Sequence, residues 1–209
     1  METEKQPRYA HFWLDYLSIE ALIDLIDDPN GSICRKILTD NRRLFERVQG
    51  STHNHQVWIG GYIDHVTDCM NHARHAYALE LAIGRPMPFS LSDVLLILFL
   101  HDLEIPWRIV VDEHGNASNR PGLATKDEFQ VFREDKIADY GLELTDYQMN
   151  ALTYVEGEQK DYSSTHRVMN ELAAFCHCED TKSACGTPNH PKPAGEDEWI
   201  GAGRFRSAF

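Results

Sequence analysis

The stretch LLILFLHDLEIPW, residues 95–107, constrains this chain more than any other: six consecutive apolar residues run directly into His101 and Asp102. A run this apolar belongs inside a folded protein. Burying two ionisable groups at its end costs free energy unless a hydrogen-bonded partner or a cation compensates them. Two readings stand side by side. The pair satisfies itself as a buried structural element, or it supplies two ligands to a metal.

Around this segment the apolar spacing is helical. Phe12 to Ile26 fits one side of a helix, closed by the turn formers Asp28-Pro29-Asn30-Gly31. A second helix is expected over roughly Ser32 to Val48, ended by Gly50-Ser51. In the third, Ile59, Ile63, Val66, Met70, Ala73 and Tyr77 form a core-facing stripe, with Tyr62, His65, Cys69, His72 and Ala76 along its adjacent edge. Gly84 and Pro86 close it, and Ser90 or Ser92 caps the helix that carries the His-Asp pair. Pro106 interrupts or ends that helix one turn later. Residues 108–124 read as a loop or short hairpin, and 156–164 as a loop. Helices are expected at Lys126–Tyr140, at Asp146–Val155 behind Thr145, and from Ser164 or Thr165 through the CHC segment. The fold class is all-α, a helical bundle with a loop-rich C-terminal tail. Residues 1–50 are N-terminal helices packed on the core, 51–187 the core itself, and 188–209 the tail.

The chain carries 20 basic and 33 acidic residues, a formal charge of −13 with neutral histidines. So acidic a surface argues against stable, sequence-independent binding to a nucleic acid backbone. A small anionic substrate remains compatible, because a bound cation inverts the local field. The N-terminus METEKQPRYAHF lacks the apolar core of a signal peptide, and no apolar run reaches the roughly 18 residues of a membrane span. Five cysteines form an odd set without a disulfide framework, so the expected compartment is a reducing cytoplasm. Cys176-His177-Cys178 lacks a second cysteine pair at zinc-finger spacing.

Three places gather ligand chemistry: His65 on one helix, His101-Asp102 at the end of another, and Asp180 late in a third. Imidazole and carboxylate suit a divalent transition metal, or a harder ion whose shell water completes. Facing helices of a bundle can project such ligands inward. The segments WIGGYIDHV (58–66), LLILFLHD (95–102) and AAFCHCEDTKSA (173–184) resemble, in order, the three metal-binding segments of the HD-domain phosphohydrolase superfamily. The likeness spans roughly residues 52 to 185, and the wider text resembles HD proteins often seen in phage genomes, which would place the chain in the host cytoplasm.

What the resemblance implies is an HD-domain-like bundle in which His65, His101, Asp102 and Asp180 hold one divalent ion per chain, with Mn, Mg, Co, Ni, Fe and Zn all admissible. It implies hydrolysis of a phosphate ester or anhydride in a small metabolite, with a nucleoside mono- or triphosphate favoured. Glu104 and His55 are the candidate catalytic groups, for proton transfer or phosphate contact. Arg108, Lys160, His166 and Arg167 are the candidate phosphate-binding groups, and Trp58 a pocket wall or base-stacking platform. Each has a plainer alternative as a solvated charge near a helix end or a core aromatic. The sequence also departs from the family pattern. The lysine that many members carry after the pair is missing, with Glu104 and Ile105 standing there, and Glu104 follows the aspartate by two positions instead of three. Two competing readings stay open: an HD-fold di-iron oxygenase, and a non-catalytic protein with a structural metal. No membrane partner is expected, and the family's frequent dimers make a homo-oligomer compatible.

Overall fold

The computed structural model describes residues 15–112, 114 and 117–186. It is mostly helical. The helices are α1 (Ile19–Ile23), α2 (Asn30–Phe45), α3 (Gly61–Ala82), α4 (Leu91–Leu100), α5 (Ile105–Arg108), α6 (Lys126–Asp139), α7 (Asp146–Tyr154) and α8 (Glu171–Thr181). A two-stranded antiparallel hairpin, β1 (Ile109–Val111) and β2 (Ala117–Asn119), fills the segment expected to be loop or hairpin. The expectations for residues 1–14 and 187–209 fall outside the described residues. No helix among the described residues is long and apolar enough to cross a membrane.

Helix α4 is the axis. Every residue from Val94 to Leu100 is at most 2% exposed, because α1, α2, α3, α7 and α8 all pack against it. Its start is fixed by a capping box. Ser90 Oγ accepts from the Asp93 amide, and Asp93 accepts in return from the Ser90 amide (2.9 Å). Thr125 with Glu128 and Thr145 with Gln148 repeat the device at α6 and α7, which is why those two helices begin where the sequence places them. The core runs continuously from Ile19 and Leu22 through Met70 and Leu96 to Leu172 and Cys176, so the N-terminal helices share it with the rest.

Several boundaries differ from the spacing-based expectation. Helix α1 begins only at Ile19, where Ser18 caps it, and residues 15–18 are non-helical. Helix α3 begins at Gly61, so Ile59 lies before it at 74% exposure and is no part of its core stripe. The buried face of α3 combines both stripes: Tyr62, His65 and Cys69 are as buried as Val66, Met70 and Ala73. Helix α8 starts at Glu171, capped by Asn170, and not near Ser164. The reason is local. The buried Glu158 carboxylate accepts from the amides of Val168 (2.8 Å) and Met169 (3.1 Å), while Asn150 accepts from the Asn170 amide (2.8 Å). Side chains from the preceding loop and from α7 thus occupy the donors that an earlier helical turn would need.

Candidate metal centre

Helices α3, α4 and α8 pack on one another, and each delivers one part of the cluster. The α3 contribution begins with a close approach of backbone. A Cβ on Gly61 would lie 1.8 Å from the Gln56 carbonyl oxygen, so only glycine lets loop 50–60 press against the start of α3. Gly60 carries φ +82°, and Gly50 donates its amide to the same Gln56 carbonyl (2.9 Å). This packing sets His65 one turn into α3, fully buried, and brings the ring of His55 to 4.8 Å from it. At the end of α4, His101 Nδ1 lies 2.7 Å from the Leu98 carbonyl, which can only accept. Nδ1 therefore carries the proton and directs Nε2 at the other helices. Asp102 follows in the turn, and Asp180 projects from the last turn of α8.

The four groups converge. His65 Nε2 stands 3.3 Å from His101 Nε2, 3.6 Å from Asp102 Oδ2 and 3.2 Å from Asp180 Oδ1. His101 Nε2 stands 3.4 Å from Asp102 Oδ2 and 3.6 Å from Asp180 Oδ1. Nitrogen and oxygen donors about 2.1 Å from a shared cation would lie about 3.4 Å apart at a tetrahedral angle and about 3.0 Å apart at a right angle. The observed separations, 3.2–3.6 Å, fit a transition-metal-sized cation. The imidazoles are sealed at 0% and 1% side-chain exposure, whereas Asp102 and Asp180 keep 14% and 17%. Access is from the carboxylate side.

Electrostatics tell the same story without an ion. Burial by itself would depress the His101 pKa, but Asp102 and Asp180 outweigh it and raise the value to about 10. Burial by itself would raise Asp180, but hydrogen bonds from His101 and His65 hold it well below the usual carboxylate range. Two carboxylates facing two imidazoles demand positive charge, which a proton or a metal can supply.

Cys69 is the residue that sequence reasoning left among the helix-edge positions. Its Sγ, with donors of His65, His101 and Asp180, forms a set lying within 4.8 Å. It stands 3.7 Å from both ring nitrogens of His65, a position beside or above the ring and off the Nε2 lone-pair axis. Burial, followed by the charges of Asp180 and Asp68, pushes its thiol well above the ordinary range. Asp102 Oδ2 lies 3.6 Å from His65 Nε2 and 3.4 Å from His101 Nε2, which makes it a candidate fourth donor beside Cys69. His65 and Cys69 stand four residues apart on one helix, a bidentate spacing that was visible in the sequence.

The other expected site residues divide sharply. His55 sits against His65, with Nδ1 2.6 Å from Gln56 Oε1; burial and then His65 lower its pKa, against the pull of Gln56, Asp102 and Asp180. Glu104 is fully buried. Arg108 Nη1 donates to it at 3.1 Å, and Arg133 approaches at 3.8 Å. Burial raises its carboxyl pKa despite Arg133, with Asp102 adding to the rise. Arg108 is held by that contact, and its guanidinium lies over the Phe129 ring at 4.4 Å. Trp58 donates Nε1 to Asp64 (2.6 Å) and so braces the first turn of α3. Lys160 pairs with Asp127 (2.8 Å) on the rim of a cleft of about 300 Å³ that Arg133 also lines. Arg167 faces Glu158 at 3.4 Å, and His166 is an exposed loop residue. The geometry thus brings His55 to the cluster, but it engages Glu104, Arg108, Lys160 and Arg167 in ion pairs.

The chain matches no protein-family model, no curated protein and no solved structure.

Proposed function

We propose that the protein is a metal-dependent phosphohydrolase acting on a small phosphorylated metabolite, with a nucleotide favoured. The observation that carries this reading is the convergence, within 3.2–3.6 Å, of the imidazoles of α3 and α4 with the carboxylates of Asp102 and Asp180. His65, His101, Asp102 and Asp180 would hold one divalent cation. The order of these segments along the chain resembles that of HD-domain phosphohydrolases. When bound, the cation supplies Lewis-acid polarisation of a phosphoryl oxygen and a water made acidic enough to lose a proton near neutrality.

The chain's own groups do the rest. The buried rings exclude water from one side, and the more exposed carboxylate edge leaves the approach for substrate. His55 has committed Nδ1 to Gln56, leaving Nε2 as a proton acceptor beside the cluster. In hydrolysis a water oxygen bonds to phosphorus, the bond from phosphorus to the leaving oxygen breaks, and one water proton passes through such an acceptor to the leaving group. Glu104, enclosed with Arg108 and Arg133, supports the turn that carries Asp102 and does not reach substrate.

A second reading has its own support: a metal that only staples α3, α4 and α8. The half-buried Arg108, which would grip phosphate, is already committed to Glu104. One experiment separates the two. Phosphate and triphosphate release is measured across nucleoside mono-, di- and triphosphates with Mg, Mn, Co and Ni supplied in turn, beside His101→Ala. Metal-dependent turnover lost in the folded variant supports the hydrolase. Tight metal binding with no turnover on any substrate moves the assignment to the staple.

A further inference from the structure

We infer that Ser183, Asp68 and Gln56 form a positioning chain that fixes the tautomers of both histidines beside the cluster, aiming His65 Nε2 at the cation and leaving His55 Nε2 free. The inference rests on the metal-centre reading above and adds residues to it that contribute no donor of their own.

The argument follows the protons. Ser183 is fully buried in the π-helical turn Lys182–Gly186 that follows α8. Its Oγ lies 2.9 Å from Asp68 Oδ2, 3.2 Å from His65 Nδ1 and 3.3 Å from Gln56 Nε2. A hydroxyl has one proton to give, and a carboxylate can only accept. The proton goes to Asp68, so toward the imidazole the serine oxygen acts as acceptor. His65 Nδ1 must then carry hydrogen, so Nε2, which faces His101, Asp102 and Asp180, is the nitrogen left for a cation to take in place of a proton. Gln56 obeys the same logic. Its amide nitrogen donates to Ser183 Oγ and also faces the Ser183 carbonyl at 3.4 Å, which orients Oε1 the other way, toward His55 Nδ1 (2.6 Å). His55 Nδ1 must donate, and its Nε2 is left unprotonated.

The placement is built in. Gln56 is 1% exposed and holds φ +41°, a left-handed conformation that ordinary side chains rarely adopt, and its carbonyl is pinned to the Gly50 amide. Asp68 is 3% exposed, one turn along α3 from His65, with His72 Nε2 facing the same oxygen at 3.4 Å. The π-helical turn that carries Ser183 packs directly on α3. Groups that hold the far nitrogen of a ligating histidine set its orientation and basicity, and their loss costs about 10–100-fold in metal affinity.

The test uses the full-length protein, Co(II) as the probe, and ring-¹⁵N-labelled histidine. Expected for wild type are tight Co(II) binding and, in the Zn(II)-loaded protein, a His65 ring with hydrogen on Nδ1. Ser183→Ala is expected to weaken Co(II) binding about 10–100-fold and to alter its visible spectrum. Ser183→Thr, which keeps the hydroxyl, restores both, and Asp68→Asn, which keeps an acceptor oxygen, stays close to wild type. If Ser183→Ala does not fold, Asp68→Ala interrogates the same chain one bond further out. Unchanged affinity, spectrum and ring tautomer in the alanine variants overturns the inference while leaving the metal centre standing. A wild-type protein that takes up no Co(II) overturns the metal-centre reading itself, and the two failures are told apart in one titration.

Discussion

Removing Asp102 should abolish most of the metal-dependent stabilisation, and removing Cys69 should leave it intact. The two side chains compete as fourth donor beside His65, His101 and Asp180, with Asp102 at 3.4 and 3.6 Å from the two Nε2 atoms and Cys69 at 3.7 Å from both nitrogens of one ring. At a free metal concentration about a thousand times Kd, binding stabilises the folded state by about 4.1 kcal/mol. Loss of a direct donor should weaken binding at least as much as loss of a supporting residue, about 100-fold at its upper end. At the same metal concentration about 1.4 kcal/mol then remains, a loss of about 2.7 kcal/mol. For a domain of this size that is roughly 5–11 °C of the metal-induced rise in Tm. The assay is thermal unfolding of wild type, Asp102→Ala and Cys69→Ala, each with and without Co(II), so that effects on the metal-free protein cancel within each pair. A Cys69→Ala protein that loses the rise while Asp102→Ala keeps it would refute the carboxylate set and install the thiolate in its place.

Metal affinity should also depend on pH through His101. Its raised pKa of about 10 means that the metal-free protein carries a proton there at neutral pH, which a cation must displace. Below about 10, Kd should tighten about tenfold per pH unit as pH rises, and calorimetry in buffers of different ionisation enthalpy should show the released proton. A flat profile across that range counts against a protonated His101. The sign for folding runs the other way. The protonated pair stabilises the metal-free chain fully below about 6.5, and this contribution is lost as pH rises through about 10. Gly61→Ala should be among the most damaging single-methyl additions, since its Cβ would overlap the Gln56 carbonyl at 1.8 Å. Overpacking of this kind costs about 1–3 kcal/mol, read as a lower denaturant midpoint, and displacement of His55 should appear as a shifted ring resonance.

The all-α architecture was legible because its signals are local. The apolar run of α4, the caps at Ser90 and Thr145 and the breaker at Gly84 act within a few residues of where they stand. The late start of α8 was not legible, because what delays it is Glu158 and Asn150 reaching across from other elements to take the amides of residues 168–170. The same division explains α3. Spacing alone could not choose between two adjacent stripes, and tertiary packing buries both once α4 and α8 close over the helix.

The cluster shows this limit most clearly. His101 and Asp102 stood out because ionisable groups at the end of an apolar helix are chemically conspicuous, and His65 and Asp180 through the resemblance of their segments to known metal-binding ones. Ser183, Asp68 and Gln56 did not, since a serine, an aspartate and a glutamine scattered over more than a hundred residues resemble any surface polar group. What distinguishes them is burial at 0%, 3% and 1%, together with the direction in which each must pass its proton. Donor and acceptor directions propagate along a chain of contacts, so the tautomer of His65 is decided at Asp68, which need not touch the cation. The charged pairs Glu104–Arg108 and Lys160–Asp127 make the converse point. Arg108 and Lys160 carried the right chemistry for phosphate in the sequence, but folding supplied them with carboxylate partners. A residue's type sets what it can do, while the neighbours that fold against it decide whether it is free to do it.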